Sequence, residues 1–259
     1  MRSESPGRGG IQADIAAYVT DHRIESAAAV ATASTCLMQA LAAGFRALQD
    51  PACLRLMGPV VPGATMAGGG RVPGTSFELD PPQAAFNIGA MVRWQATDDA
   101  RLTTEVPHPA DNLGAILAVA DWLSRRAIAE GTQPGTVRDV ATAMITAHQI
   151  QGFLALEHDL DRVLLVCIAS AAVSTHALGG SKEQVIDAVS QAWFDGRPRL
   201  AGRGVSGNGW RPRWATADAT SRGVRHALMT VTRSTDSPSA LPAQTLGLQD
   251  APFEGKSFR

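Results

Sequence analysis

The sequence predicts an all-α protein, a single irregular helical bundle. Three observations predict it. Apolar residues recur at helical spacing in segment after segment, and no run shows the strict alternation of a half-buried strand. Residues that start and stop helices punctuate those segments. The chain is rich in Ala and poor in aromatics, at 5%. Ala is the best helix former and lets helices approach one another closely.

The elements follow in order. Residues 1–10 are polar and Gly-rich and are expected to be disordered, with no apolar stretch of a signal peptide. Residues 11–21 place Ile11, Ile15, Tyr18 and Val19 on one helical face. Residues 24–49 form a longer helix that Pro51 ends. Residues 58–74 are rich in Gly and Pro and read as a long loop with room for a short extended piece. Asp80 before Pro81 and Pro82 opens a helix to about residue 94, because Asp accepts bonds from free amides and Pro tolerates the first turn. After an irregular stretch to Pro109, a helix runs from near Asp111 to Ala129, with Gly131 past its end. Thr136 and Asp139 resemble a capping box and open a helix to about 156. Residues 163–178 are strongly apolar and close on Gly179 and Gly180. Ser181 and Gln184 form a capping box for a helix to about 193. A basic, Gly-rich loop over 195–213 precedes a last helix over 217–231. That makes seven or eight helices, with no internal repeat.

Composition narrows the function. The chain has 259 residues, is 45% hydrophobic and carries a net charge of −1. Nothing in that balance points to nucleic acid or an anionic membrane as partner. No stretch reaches the roughly 18 consecutive apolar residues of a membrane helix. The three cysteines, Cys36, Cys53 and Cys167, are odd in number, widely spaced and without a CxxC. This argues against a disulfide framework, a zinc knuckle or an iron–sulfur cluster, and suits reduced, buried thiols in a cytoplasmic protein. No His pairs with another His or Glu at i,i+4 on one helix, so no metal site is expected. His148, His176 and His226 read as core or interhelical hydrogen-bonding residues, and His22 as an exposed turn residue.

One segment carries chemistry. His108 lies in HPADN, directly before a helix N-terminus. Free amides and a partial positive charge there favour a bound carboxylate. A His on the same loop is suited to acid–base work near neutral pH, and Asp98, Asp99 and Glu105 are close in sequence. Local physics alone leaves a second, plainer reading: a surface loop whose Asp111 caps a helix.

The wider sequence bears on that choice. Residues 93–125 resemble the MmgE/PrpD family, whose pattern R-W-x-D-x-N-D-T is followed by E-x-x-H-P-S-D-N-L-G. Here the segment supplies Arg93, Trp94, Asp98, Asp99, Glu105, His108, Pro109, Asp111, Asn112, Leu113 and Gly114. RVPGTSFELDPPQAAFNIGAM (71–91), TAMITAHQIQGFLALE (142–157), AWFDG (192–196) and DATSRGVRHALM (218–229) extend the resemblance, from about residue 11 to 259, and point to its 2-methylcitrate dehydratase branch. The resemblance implies a hydro-lyase that removes water from a tricarboxylate in the methylcitrate cycle of propionate breakdown. It implies no cofactor, a cytoplasmic location, and a homodimer or pairing with an intact paralogue. It implies His108 and Asp99 as catalytic residues, and Asp111, Asn112, Arg211 and Arg213 at the substrate.

The departures are as specific as the matches. Family residues Asp, Thr and Ser fall at Ala96, Ala100 and Ala110. The His of a family G-L-D-H-V stretch falls at Arg162, with His158 nearby in sequence, and the Lys of R-K-S-W falls at Pro212. These changes imply reduced turnover and an alternative, a non-catalytic remnant acting as a dimerising helical module. The resemblance itself leaves a further one, a lyase like the family's cis-aconitate decarboxylase, although the agreement lies closer to the dehydratase branch. The expected layout is a disordered start (1–10), one helical domain (11–233), and a connection (234–259) to the family's second, α/β domain, which this chain is expected to lack.

Overall fold

A computed structural model of the protein describes residues 10–94, 107–157, 160–195 and 214–233. Among them nine helices and one two-stranded ribbon form: α1 Ile11–Asp21, α2 Ala27–Ala47, α3 Pro51–Leu56, β1 Gly70–Arg71, β2 Glu78–Leu79, α4 Pro81–Arg93, α5 Leu113–Ala129, α6 Val137–Glu157, α7 Arg162–Ala177, α8 Lys182–Phe194 and α9 Ala215–Thr232. The chain is all-α, as the helical periodicity predicts. The expected tail (234–259) lies outside the described residues, as does the expected disordered start up to residue 9.

The helix starts follow from their caps. Ser26, Asp50, Asp80, Asp161 and Ser181 each accept a bond from an amide of the first turn. Ser181 and Gln184 close a full capping box. Thr136 and Asp139 bond reciprocally at the head of α6. One feature differs from the sequence reading, and one short extended piece it allowed for takes shape as a ribbon. Pro51 does end α2, but Asp50 caps a new short helix directly behind it, because Pro suits a first helical turn. The Gly- and Pro-rich loop folds back as an antiparallel ribbon, with Gly70 opposite Leu79 and Arg71 opposite Glu78.

α7 is the centre of the bundle. Every residue from Leu164 to Thr175 is buried, and α6, α8 and α9 pack around it. α4 lies between α5 and α9. Two glycines set the closest crossings. A Cβ on Gly114 would meet the Ala85 carbonyl at 2.4 Å, and one on Gly223 would meet the Ser170 side chain at 2.5 Å. α5 and α4, and α9 and α7, are therefore in near backbone contact, which brings the N-termini of α5 and α7 together.

α2 qualifies the expectation about membranes. It is long and apolar enough to span one by length and composition, and 22% of its apolar window is buried. Thr32, Ser34 and Thr35 interrupt it, each hydroxyl donating to a carbonyl one turn back. Ala33, Leu37, Ala40, Gly44 and Ala47 form its buried face, and it packs on α4 and α6.

Candidate active site

The N-terminus of α5, the C-terminus of α4 and the N-terminus of α7 converge on one carboxylate. Asp111 has no exposed side-chain surface. Its Oδ1 meets Arg93 Nε of α4 at 3.1 Å and Arg162 Nη2 of α7 at 2.6 Å. Its Oδ2 accepts from Arg162 Nε at 3.1 Å and from the backbone amide of His108 at 3.0 Å. Two guanidiniums thus share this one buried carboxylate, and Arg162 has a further partner besides. The Arg93 side chain is 11% exposed and that of Arg162 is 25% exposed, so Arg162 is the more open of the two.

His108 stands at the rim of this cluster and is exposed. Its Nδ1 accepts the amide of Ala110 at 3.1 Å. Crowding of the ring by protein, then the charge on Arg93, pull its pKa below the ordinary value; Arg162 and His148 add to this and Asp111 opposes it. Both effects favour the neutral ring. With Nδ1 accepting, the proton of the neutral ring sits on Nε2, which is left to donate outward. A neutral imidazole donating from a helix N-terminus is a known way to polarise an oxygen that gains charge.

Asn112 turns inward. Its Nδ2 donates to the Val166 carbonyl at 2.9 Å and to Ser170 Oγ at 2.8 Å, and its Oδ1 accepts from Gln151. Ser170 Oγ lies 2.9 Å from Thr220 Oγ1, which accepts the Ala115 amide at 3.0 Å. This buried chain of polar groups ties α5 to α6, α7 and α9. The amides expected to be free for a ligand carboxylate are in part already used: those of Ala110, Asp111, Leu113 and Ala115 all bond within the protein. Positive charge at the rim is therefore carried by the arginines more than by the helix end.

The sequence-derived residues divide accordingly. His108 is at the rim, and Asp111 and Asn112 lie beneath it with their side chains held by protein. Asp99, His158, Arg211 and Arg213 lie outside the described residues. Three contributors lie outside that set: Arg162, known from the sequence only as a departure from the family pattern, and two more. Arg93 is one, known from the sequence only as part of a motif. His148 is the other: it lies one turn before Gln151, and its buried Nδ1 has no hydrogen-bond partner among the described residues. Periodicity places His148 on a helix but not beside His108, since the two are joined only by the packing of α6 against α5. A separate cleft of about 540 Å³, lined mainly by α5, α6 and α7 from Ile116, Thr136 and Val173 onward, does not include His108. Its walls are largely apolar and hold no comparable cluster of charge.

The fold and this site define a class: a helical domain that sets an imidazole over a buried arginine–carboxylate cluster at a helix N-terminus. The chain belongs to the MmgE/PrpD family, matching the MmgE/PrpD N-terminal domain over residues 13–259. It is similar to the 2-methylcitrate dehydratase of Escherichia coli K12, 51% identical over 251 residues that cover 95% of this chain and 52% of that protein. It is similar to that of Cupriavidus necator, 48% identical over 262 residues covering 99% and 54%. The "2-methylcitrate dehydratase, mitochondrial" of Yarrowia lipolytica is 44% identical over 261 residues covering 98% and 50%. The chain thus spans about half the length of the curated relatives it matches.

Proposed function

We propose that this chain is the helical part of a 2-methylcitrate dehydratase-like hydro-lyase, with His108 as an acid–base group. The observation that carries the reading is His108, whose Nδ1 accepts from Ala110 and whose pKa is pulled toward the neutral ring, beside two guanidiniums that share one buried carboxylate. Elimination of water from a tricarboxylate needs a base for the proton next to a carboxylate, a donor for the departing hydroxyl and a cation for the charge that builds up. From Nε2 the neutral His108 ring would hydrogen-bond the departing hydroxyl, which takes its proton from the carboxyl group that removed the substrate proton or from solvent, and Arg162 and Arg93 would supply the cation. Asp111 is their counter-charge and aligns them; Asn112 fixes the helix end on which His108 stands. Asp99, which the resemblance implies as catalytic, would be the proton-abstracting carboxylate, and His148 is a second imidazole whose charge acts on His108. Arg211 and Arg213 would bind substrate carboxylates in two-pronged fashion. By the same reading the protein works in the aqueous interior of the cell, without a cofactor.

The test is incubation of the purified full chain with 2-methylcitrate, following the ultraviolet absorbance of the unsaturated product. Growth of that absorbance, abolished in His108→Gln, supports the reading. A flat trace beside an active relative overturns it.

A second reading has its own observation. Arg162 stands where the family pattern has a His, and it is bound to Asp111 through two nitrogens. Ala96, Ala100 and Pro212 replace further polar family positions. On this reading the chain is a non-catalytic helical module that pairs with itself or with an intact paralogue. Sedimentation that finds only monomer, alone and with the paralogue, contradicts it.

A further inference from the structure

Away from His108, three side chains of different chemistry meet where α7, α8 and α9 join. Cys167 is buried on α7, Asp195 is the C-cap of α8, and His226 is half-buried on α9. Their sulfur, carboxylate oxygen and imidazole nitrogen all lie within 4.8 Å of one another. His226 Nε2 is 3.3 Å from Asp195 Oδ2. A tetrahedral zinc ion with bonds of about 2.0–2.3 Å holds its ligand atoms roughly 3.5 Å apart. Ligand atoms within 4.8 Å of one another need to draw in by no more than about 1.3 Å to meet that spacing. The helix end adds to this, because the last carbonyls of α8 carry partial negative charge and favour a cation there.

A cation already stands at the mouth of the cluster. Arg222 Nη1 is 2.6 Å from Asp195 Oδ2 and 3.4 Å from the Asp195 carbonyl, while Nε is 2.9 Å from Asp218. Asp218 gives this guanidinium a second carboxylate, so it can leave Asp195 without being stranded.

We propose that Cys167, Asp195 and His226 form a binding site for a soft divalent cation of the zinc class, with Arg222 as the group that must leave Asp195 for the ion to enter. One sulfur, one nitrogen and one oxygen ligand select zinc-like ions over magnesium or calcium, which prefer oxygen alone. On binding, the Cys167 thiol releases its proton to solvent and the sulfur bonds the metal as thiolate. Three protein ligands leave the fourth position to water on the exposed side.

The experiment uses the full chain, stripped with chelator and titrated with Co2+. The expected result is a thiolate-to-cobalt charge-transfer band in the near ultraviolet, bleached by one equivalent of Zn2+ and untouched by Mg2+. Cys167→Ser abolishes the band and Cys36→Ser keeps it. His226→Leu weakens Co2+ binding by roughly tenfold or more, and Arg222→Met tightens it. Circular dichroism establishes that each variant is folded. If Cys167→Ser does not fold, the partly exposed His226 and Arg222 positions carry the test. Absence of the band in the parent chain, its survival in folded Cys167→Ser, or unchanged binding in His226→Leu overturns the proposal. Weaker binding in Arg222→Met overturns the role given to Arg222.

Discussion

Arg162 grips the buried carboxylate of Asp111 with two nitrogens, Nη2 to Oδ1 at 2.6 Å and Nε to Oδ2 at 3.1 Å. The pair joins the start of α7 to the start of α5, residues 51 apart in the chain. Arg93 approaches the same Oδ1 from α4. Removing the carboxylate leaves two partly buried guanidiniums facing one another. Asp111→Asn is therefore expected to cost about 3–5 kcal/mol of stability, read by denaturant unfolding. A loss below about 1 kcal/mol, the range of a surface pair, would mean that the cluster is not a structural centre.

The same charges set the state of His108. Crowding by protein and the Arg93 guanidinium hold its pKa below the ordinary 6.5. Arg93→Met removes a repelling charge and leaves Asp111 in place, so the pKa of His108 is expected to rise. A proton NMR titration of the His108 ring measures it. An unchanged or lower value would contradict the electrostatic account.

Stability should depend on pH through this residue. Its folded pKa lies below 6.5, so between the folded value and 6.5 the unfolded chain binds more protons than the folded one. Stability then rises with pH through that window and levels off above about 6.5. His108→Gln should flatten that part of the curve. Parallel curves for the two proteins, measured by denaturant unfolding across the window, would show that His108 has no such linkage.

Much of the fold was legible because the helix signals are local. Asp80 with two prolines and the Ser181–Gln184 box marked their helices from sequence alone. The start of α3 was missed because Pro51 stops one helix and begins the next, and only the Asp50 cap shows which. The site was half legible. His108 was visible from its place before α5. The electrostatic influence of Arg93, Arg162 and His148 on it depends on how α4, α6 and α7 pack, which periodicity does not encode. The cluster of Cys167, Asp195 and His226 was invisible for the same reason. A search for metal ligands at i,i+4 looks along one helix, and these three stand on three.

The packing behind the site makes a prediction of its own. Gly223 lets α9 approach α7, and an added Cβ would lie 2.5 Å from the Ser170 side chain and 2.9 Å from the Cys167 carbonyl. Most of those atoms are backbone or helix core and cannot give way locally. Gly223→Ala is expected to destabilise by about 1–3 kcal/mol, despite the better helix propensity of Ala. A neutral or stabilising result in thermal unfolding would show that α7 and α9 are not in close contact.

The central claim is that His108 serves elimination of water from a tricarboxylate. The most direct measurement follows product absorbance during incubation of 2-methylcitrate with the full chain and with His108→Gln, beside the Escherichia coli relative. The account predicts turnover by the parent chain and a loss of about a hundredfold or more in the variant, with circular dichroism unchanged. A flat trace for the parent while the relative turns over, or equal rates for parent and His108→Gln, would contradict it.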